Sequence, residues 1–167
     1  DEHRAGLKPV IRKVWARRGQ RPLARGHQRF QWVYVFGFVR PATGAVVWFL
    51  ADAVNTAMFN RILAAFARDV GAGPDKIVVL VLDGAGWHVA KDLQVPDGIR
   101  LEFLPPYSPE LQPAEHLWPV INEPLANQHF HTLADLDEVL AERCCDLAND
   151  PDRIKSSTQF HWWPAFI

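Results

Sequence analysis

Cysteine is scarce in this sequence: the 167 residues contain two, Cys144 and Cys145, and they are adjacent. Adjacent cysteines do not build a disulfide framework and do not have the spacing of a zinc site. The sequence therefore excludes a small protein cross-linked by disulfides or zinc. It predicts a chain that works in a reducing, cytoplasmic environment.

Long apolar runs are also missing. The longest, 32–39 and 77–82, have the length of strands, which excludes a membrane-spanning helix. The first residues are polar, and no apolar stretch of a secretory signal follows them. We therefore expect a protein without a membrane partner.

What the sequence does contain is the composition of a folded soluble domain, with 49% hydrophobic and 22% charged residues. This balance excludes a disordered tail, a collagen-like rod and a coiled coil. A chain of 167 residues is long enough to bury a core of its own. We predict one domain that spans 1–167.

The net charge of −1 conceals a strong asymmetry along the chain. Residues 1–29 hold nine Lys and Arg against two acidic residues, a charge of +7, whereas the remainder holds nine against 17, a charge of −8. A basic arm on an acidic body favours a polyanionic partner at one face. An exposed, solvated hairpin rich in arginine explains the charge alone equally well.

The apolar periodicity predicts five strands, interrupted by helices after the third. The strands are expected at 10–17, 31–40, 45–52, 77–82 and 100–104. Helices are expected from Asn55 or Thr56, briefly after Asp83, from about Pro113, and from a capping box at Thr132 and Asp135. This order indicates the α/β class, with a mixed sheet covered by helices.

Asp83 has a position that suits chemistry, because it directly follows the apolar strand predicted at 77–82. Ligands of open α/β sheets gather at the carboxyl ends of the strands. A structural interpretation remains open at this point: an aspartate before Gly84 also opens a turn or caps a following helix.

Glu115 lies in the first turn of the helix predicted from Pro113, where an acidic residue is favourable for the helix dipole in any protein. The intervening chain is long enough to return Glu115 to the end of the Asp83 strand. A third carboxylate, Asp1 or Glu2, precedes the basic arm. Three converging carboxylates would suit Mg²⁺, which prefers oxygen ligands, and a two-ion site can cleave phosphodiesters.

Two sequence blocks, LDGAGWH at 82–88 and LPPYSPELQPAEHLW at 104–118, resemble the second and third catalytic blocks of DDE transposases. The match is strongest to the bacterial insertion-sequence branch of the mariner superfamily. DEHRAGL at 1–7 and VWARRG at 14–19 resemble the first acidic block and the hairpin after it, and FHWWP at 160–164 resembles the end of that branch. The resemblance covers nearly the whole chain.

The resemblance implies a ribonuclease-H-like fold, a mixed five-stranded sheet flanked by helices. It implies that Asp1, Asp83 and Glu115 are catalytic and hold two Mg²⁺ or Mn²⁺ ions. Such enzymes cut the ends of their own element and join the freed 3′-hydroxyls to target DNA, usually at TA. Both steps are in-line attacks without a covalent enzyme intermediate. A homodimer in the bacterial cytoplasm is implied as well.

Three departures from the family pattern qualify that expectation. Gly84 stands where the family commonly has Asn, and the family's amino-terminal helix-turn-helix region is absent from the chain. The sequence also starts at Asp1, so we expect a truncated first strand and a poorly held Asp1. A catalytically inactive remnant that only binds DNA or a partner subunit therefore remains an alternative, as does a nuclease of RNA–DNA hybrids.

Further residues are candidates on weaker grounds. Gly84, His88 and His116 are expected beside the metal site, although each histidine could equally be an ordinary surface or core residue. Candidate DNA contacts are those with basic or polar side chains in the arm and in the proline-rich loop: Arg12, Lys13, Arg17, Arg18, Arg21, Arg25, Tyr107 and Ser108. Loop packing is the alternative for Tyr107 and Ser108.

Overall fold

The computed structural model describes residues 1–20, 22–23 and 29–160. Over these ranges the strands are β1 (Glu2–Gly6), β2 (Trp32–Arg40), β3 (Ala45–Ala51), β4 (Val78–Leu82) and β5 (Ile99–Phe103). The α-helices are α1 (Thr56–Asp69), α2 (Trp118–Ile121), α3 (Leu133–Ala148) and α4 (Pro151–Thr158). Two short 3₁₀ helices, Pro109–Leu111 and Pro113–Leu117, precede α2. The α/β class is as predicted.

The strands form two sheets. β1, β2 and β3 are antiparallel neighbours in that order, and β4 pairs with β5 in parallel. The expected single five-stranded sheet is not confirmed, since no ladder joins β1 to β4 among the described residues. Glu2, at the start of β1, instead contacts His88, which lies six residues beyond the end of β4.

Strand β2 separates two hydrophobic cores, because its side chains alternate between its faces. Val33 and Val35 belong to the first core, and Phe36 and Phe38 belong to the second. The first core continues into the carboxyl-terminal helices with Leu117, Ile121, Leu136, Leu140, Leu147 and Ile154. The second continues into α1 and the parallel pair with Phe59, Ile62, Leu63, Phe66, Leu82 and Ile99. Burial of both faces of β2 explains its continuous apolar sequence.

The predicted helix starts are found at two positions. Asn55 accepts a hydrogen bond from the Met58 N–H at the start of α1. Thr132 and Asp135 form the predicted capping box of α3, in which each side chain accepts from the other's backbone N–H. These contacts satisfy N–H groups that have no partner within the helix.

Two predicted elements differ from the structure, and one helix was not predicted. The strand expected at 10–17 is wrong: Val10 makes one isolated bridge with Ala126, and residues 11–17 are exposed and irregular. The first strand is β1 instead, because pairing with β2 outweighs the local alternation at 10–17. The helix expected after Asp83 is a series of turns, and α4 was not predicted.

The described part of the chain contains no helix that is both long enough and apolar enough to cross a lipid bilayer.

Candidate active site

Asp1, Asp83 and Glu115 line one cleft of about 470 Å³. Asp1 precedes β1, Asp83 follows β4, and Glu115 lies in the second 3₁₀ helix. The proline-rich loop at 104–109 forms one wall. Three segments that are distant in the sequence thus bring three carboxylates to the same opening.

Asp1 is paired with β2 through its backbone. Its carbonyl accepts a hydrogen bond from Gly37 N–H at 2.9 Å, and its α-amino group donates to the Gly37 carbonyl at 3.3 Å. The expectation that Asp1 is poorly held is therefore wrong. Its carboxylate oxygen Oδ2 is buried and has no hydrogen-bond partner.

The charges around Asp1 show how closely the acidic groups approach it. The carboxylates of Glu2, Asp83 and Glu115 each act electrostatically on the backbone nitrogen of Asp1. All three carboxylates are therefore near enough to influence a charge at Asp1.

Asp83 opens a turn, because its Oδ1 accepts a hydrogen bond from Ala85 N–H at 3.2 Å. The sequence allowed this structural role as well as a role in chemistry. The same oxygen lies 2.8 Å from Nδ1 of His88. Its side chain remains about half exposed at the cleft. The turn and a role at the cleft are thus compatible at one residue.

His88 is completely buried, although it lies in an irregular segment. Its ring packs against Phe59, with the ring centroids 4.6 Å apart, and against Trp87 at 5.9 Å. Its second nitrogen, Nε2, lies 3.4 Å from Oε2 of Glu2. The structure therefore places His88 between Glu2 and Asp83.

Glu115 is exposed, and its position depends on the residue three places before it. Its N–H donates to the Gln112 carbonyl at 3.1 Å, and Pro113 begins the 3₁₀ helix between them. Gly84 also lines the cleft, and a Cβ there would have no heavy atom within 4 Å. His116 is not among the cleft-lining residues, because its ring packs against Phe160.

Tyr107 and Ser108 line the cleft on the proline-rich loop. Tyr107 has φ of 59°, in the left-handed region, and its side chain is fully exposed. Ser108 Oγ donates to the Pro106 carbonyl at 3.4 Å. The loop therefore presents an unburied aromatic ring and a hydroxyl at the edge of the carboxylate cleft.

The described residues of the basic arm lie outside the cleft lining. Arg12 anchors it: the guanidinium donates to the Pro119 carbonyl at 2.7 Å, and Asn127 bonds the Arg12 backbone in both directions. Lys13, Arg17 and Arg18 are exposed. The other two predicted arm contacts, Arg21 and Arg25, lie outside the described residues, as does the terminal motif beyond Phe160.

One cleft-lining residue, Gln112, was missed in the sequence. Gln112 lines the cleft and is buried, and its Nε2 has no hydrogen-bond partner. The available sequence signal for Gln112 was its position immediately before Pro113, where the 3₁₀ helix begins. Glu2 had been an alternative to Asp1 as a ligand, but it contacts His88 and does not line the cleft.

The donor set fits a hard divalent cation, since such ions take carboxylate oxygens and the buried Oδ2 of Asp1 has no partner. The fit concerns the kind of ligand atom and the shared location of the three carboxylates at one cleft. Across the ranges that the structure describes, no three Asp, Glu, His or Cys side chains are already grouped closely enough to hold a metal ion.

Known proteins resemble this chain in sequence and in fold. An uncharacterized protein of Sinorhizobium fredii, y4pE/y4sA, is 37% identical over 135 residues, which cover 78% of this chain and 96% of that protein. The Mos1 strand transfer complex has a TM-score of 0.56 at 20% identity, covering 97% of this chain and 54% of the Mos1 chain. The Mos1 mariner paired-end complex with Mn has a TM-score of 0.56 at 19% identity, with 96% and 55% covered.

The chain spans about half the length of the Mos1 chains that it matches. At this level of identity the likeness shows a shared fold. The family assignment comes from the sequence itself, because the family model described as DDE superfamily endonuclease matches residues 1–137. The chain therefore belongs to the DDE superfamily of endonucleases.

Proposed function

We propose that residues 1–167 form the catalytic domain of a transposase. The domain cleaves DNA strands at the ends of its element and transfers the freed 3′-hydroxyls into target DNA. The observation that carries this proposal is the convergence of Asp1, Asp83 and Glu115 on one cleft. Family membership supports nuclease chemistry, and the fold shared with Mos1 supports transposition. The two sheets correspond, in this proposal, to parts of a ribonuclease-H-like sheet.

Asp1, Asp83 and Glu115 would hold two Mg²⁺ or Mn²⁺ ions. Bound ions of this kind promote deprotonation of the attacking oxygen and stabilise the leaving oxygen of a phosphodiester. The protein's own part is to hold the carboxylates. His88 and Ala85 engage Oδ1 of Asp83, which leaves Oδ2 for an ion. The 3₁₀ helix presents Glu115 towards solvent, where DNA can approach.

The two reactions balance without a covalent enzyme intermediate. Water attacks a phosphodiester of the element end, the phosphorus–O3′ bond breaks, and the 3′-hydroxyl is released. That hydroxyl then attacks a target phosphodiester and displaces its 3′ oxygen. The carboxylate cleft serves both steps, because each replaces one oxygen on phosphorus by another.

DNA is the partner that fits the surroundings of the cleft. Lys13, Arg17 and Arg18 are exposed on the arm and suit phosphate contacts, which position DNA without reading its sequence. We propose phosphate contacts for Arg12, Arg21 and Arg25 as well, as the sequence predicts. Tyr107 and Ser108 would contact the strand that enters the cleft. The target is a TA-containing site, and a homodimer in the bacterial cytoplasm brings two element ends together.

A second candidate function is DNA or partner binding without catalysis. Two observations favour it: the carboxylates are not yet grouped into a metal cage in the described residues, and Gly84 offers no side chain at the cleft. An ion would have to draw the carboxylates together as it binds. If that cost is too high, the chain binds DNA and leaves it intact.

Nicking of supercoiled plasmid in Mn²⁺ separates the two. The wild-type chain should nick, and Asp83→Ala should bind the plasmid without nicking. Alanine is preferred because asparagine before Gly84 would deamidate back towards aspartate. Asp92→Ala removes an exposed carboxylate outside the cleft and should nick normally. Plasmid binding by the wild type without any nicking would establish the non-catalytic alternative.

A further inference from the structure

A chain of side chains links the two sheets beside the cleft. Glu2 stands at the start of β1, in the antiparallel sheet, and Asp83 follows β4, in the parallel pair. His88 lies between them, with Nε2 at 3.4 Å from Glu2 Oε2 and Nδ1 at 2.8 Å from Asp83 Oδ1. No strand ladder connects the sheets within the described residues. The side-chain link therefore bridges a place where the backbone does not.

Both nitrogens of His88 face oxygen acceptors. Nδ1 donates to Oδ1 of Asp83 at 2.8 Å, and the backbone carbonyl of Asp83 lies 3.2 Å from the same nitrogen. Both acceptors of Nδ1 therefore belong to Asp83. Nε2 of His88 and Oε2 of Glu2 are buried, and neither has a hydrogen-bond partner. Their separation exceeds an ordinary hydrogen bond by a few tenths of an ångström. They therefore face each other across a buried contact of 3.4 Å.

The imidazole has little freedom to choose other partners. It is fully buried, and the Phe59 ring lies against it at 4.6 Å between centroids. Asp83, in contrast, is about half exposed and follows its strand into an irregular turn. A buried, packed histidine is consequently the more rigid member of the pair and restricts the rotation of the Asp83 carboxylate.

We propose that Glu2 is a positioning residue: acting through His88, it sets the spacing between the carboxylates of Asp1 and Asp83. Successive strand residues direct their side chains to opposite faces, so Asp1 lines the cleft while its neighbour Glu2 holds His88. The proposed ligand Asp1 thus directly precedes β1, whose first residue contacts the segment that follows β4. The inference rests on the proposed function, since it concerns the spacing of proposed metal ligands.

Mn²⁺ binding, followed by the EPR signal of the free ion, tests this proposal without requiring catalysis. Glu2→Ala removes one end of the link, and His88→Asn keeps a donor near the Nδ1 position but does not reach Glu2. Each should weaken Mn²⁺ binding roughly 10- to 100-fold. The double variant should bind no more weakly than either single variant, because both break the same link. Glu138→Ala, which removes an exposed carboxylate on α3, should bind as the wild type does.

Urea unfolding of each variant separates positioning from folding. If Glu2→Ala is too unstable, Glu2→Gln, which keeps an oxygen acceptor and loses the charge, is measured in its place and should bind Mn²⁺ more tightly than His88→Asn. Wild-type affinity in a folded Glu2→Ala variant would overturn the proposal. Additive losses in the double variant would also overturn it, since Glu2 would then act on the ion independently of His88.

The proposed function and this inference fail in different ways. Mn²⁺ binding and nicking by the wild type, together with unchanged affinity in the variants, would overturn the inference and leave the function standing. Absence of Mn²⁺ binding and of nicking in the wild type would overturn both.

Discussion

Gly37 and Asp1 exchange both of their backbone hydrogen bonds, at 2.9 and 3.3 Å. The first carboxylate of the cleft is therefore held by the middle of β2, the strand that both cores share. The pairing also places Gly37 directly beneath two tryptophans. A Cβ at this position would lie 2.7 Å from the Trp48 ring and 3.2 Å from the Trp118 ring.

Gly37→Ala should consequently destabilise the protein. The rings must shift or β2 must move, and such overpacking typically costs about 1–3 kcal/mol. Urea unfolding measures this loss. Gly86→Ala is the matched control, because a Cβ at Gly86 would meet no heavy atom within 4 Å and its φ is not in the left-handed region. Equal stability of the two variants would contradict the packing argument.

Glu115→Gln should abolish Mn²⁺-dependent nicking and leave the free energy of unfolding nearly unchanged. The substitution keeps the shape of an exposed side chain and removes the charge that a divalent ion requires. Plasmid nicking and urea unfolding are the two measurements. Glu110→Gln, five residues earlier and not lining the cleft, should retain activity. Nicking by Glu115→Gln at the wild-type rate would remove Glu115 from the site.

Arg17 and Arg18 should contribute to the salt dependence of DNA binding. Both are exposed on the arm, and each phosphate contact adds about 0.9 to the slope of log K against log salt for duplex DNA. Replacing both with Gln should reduce that slope by roughly 2 if each makes one contact. Fluorescence anisotropy at several salt concentrations measures it, with Lys91→Gln as control. An unchanged slope would mean that Arg17 and Arg18 do not contact phosphates.

His3 should make the stability sensitive to acid. Burial lowers its pKa below the ordinary value of 6.5, against a smaller raising effect of its hydrogen bond to Asn122. The unfolded state therefore binds the proton more readily. The contribution of His3 to the free energy of unfolding is fully present above about pH 6.5 and decreases as the pH falls towards the pKa of the folded state. His3→Phe, which keeps an aromatic ring against Trp118, should show a smaller loss of unfolding free energy over that pH range.

The adjacent cysteines should differ in reactivity. Burial raises the pKa of the Cys144 thiol to about 12, so almost no thiolate forms there at neutral pH. Cys145, the next residue of α3, is exposed. Titration with a chromogenic disulfide should therefore give one fast thiol, which Cys145→Ser removes. Two fast thiols in the folded protein would contradict the burial of Cys144.

Local signals were sufficient for the elements that carry them strongly. The apolar runs of β2 and β3 and the capping box at Thr132 are recognisable without tertiary information, and the structure has them where the sequence predicts. The alternation at 10–17 predicted a strand that is absent, since pairing with β2 is available to Glu2–Gly6 instead. Helix α4 escaped prediction because its eight residues are mostly polar.

The site was predictable to the extent that its residues lie in recognisable motifs. Asp83 follows a strand, Glu115 lies near the start of a 3₁₀ helix, and both line the cleft. The contact between Glu2 and His88 was not predictable, because it joins the start of β1 to an irregular segment that is far away in the sequence. The same applies to His116, whose position next to Glu115 suggested the cleft, whereas its ring contacts Phe160.

The two cores on either side of β2 have a consequence for how variants of this protein are judged. Glu115 is carried by residues of the first core, beside Ala114 and Leu117, whereas Asp83 follows Leu82 of the second. A substitution that shifts one core against the other changes the distance between these carboxylates, even when each core remains intact. Melting temperature and metal affinity are therefore separable properties in this chain, and a variant that melts normally can still have lost the geometry on which the cleft depends.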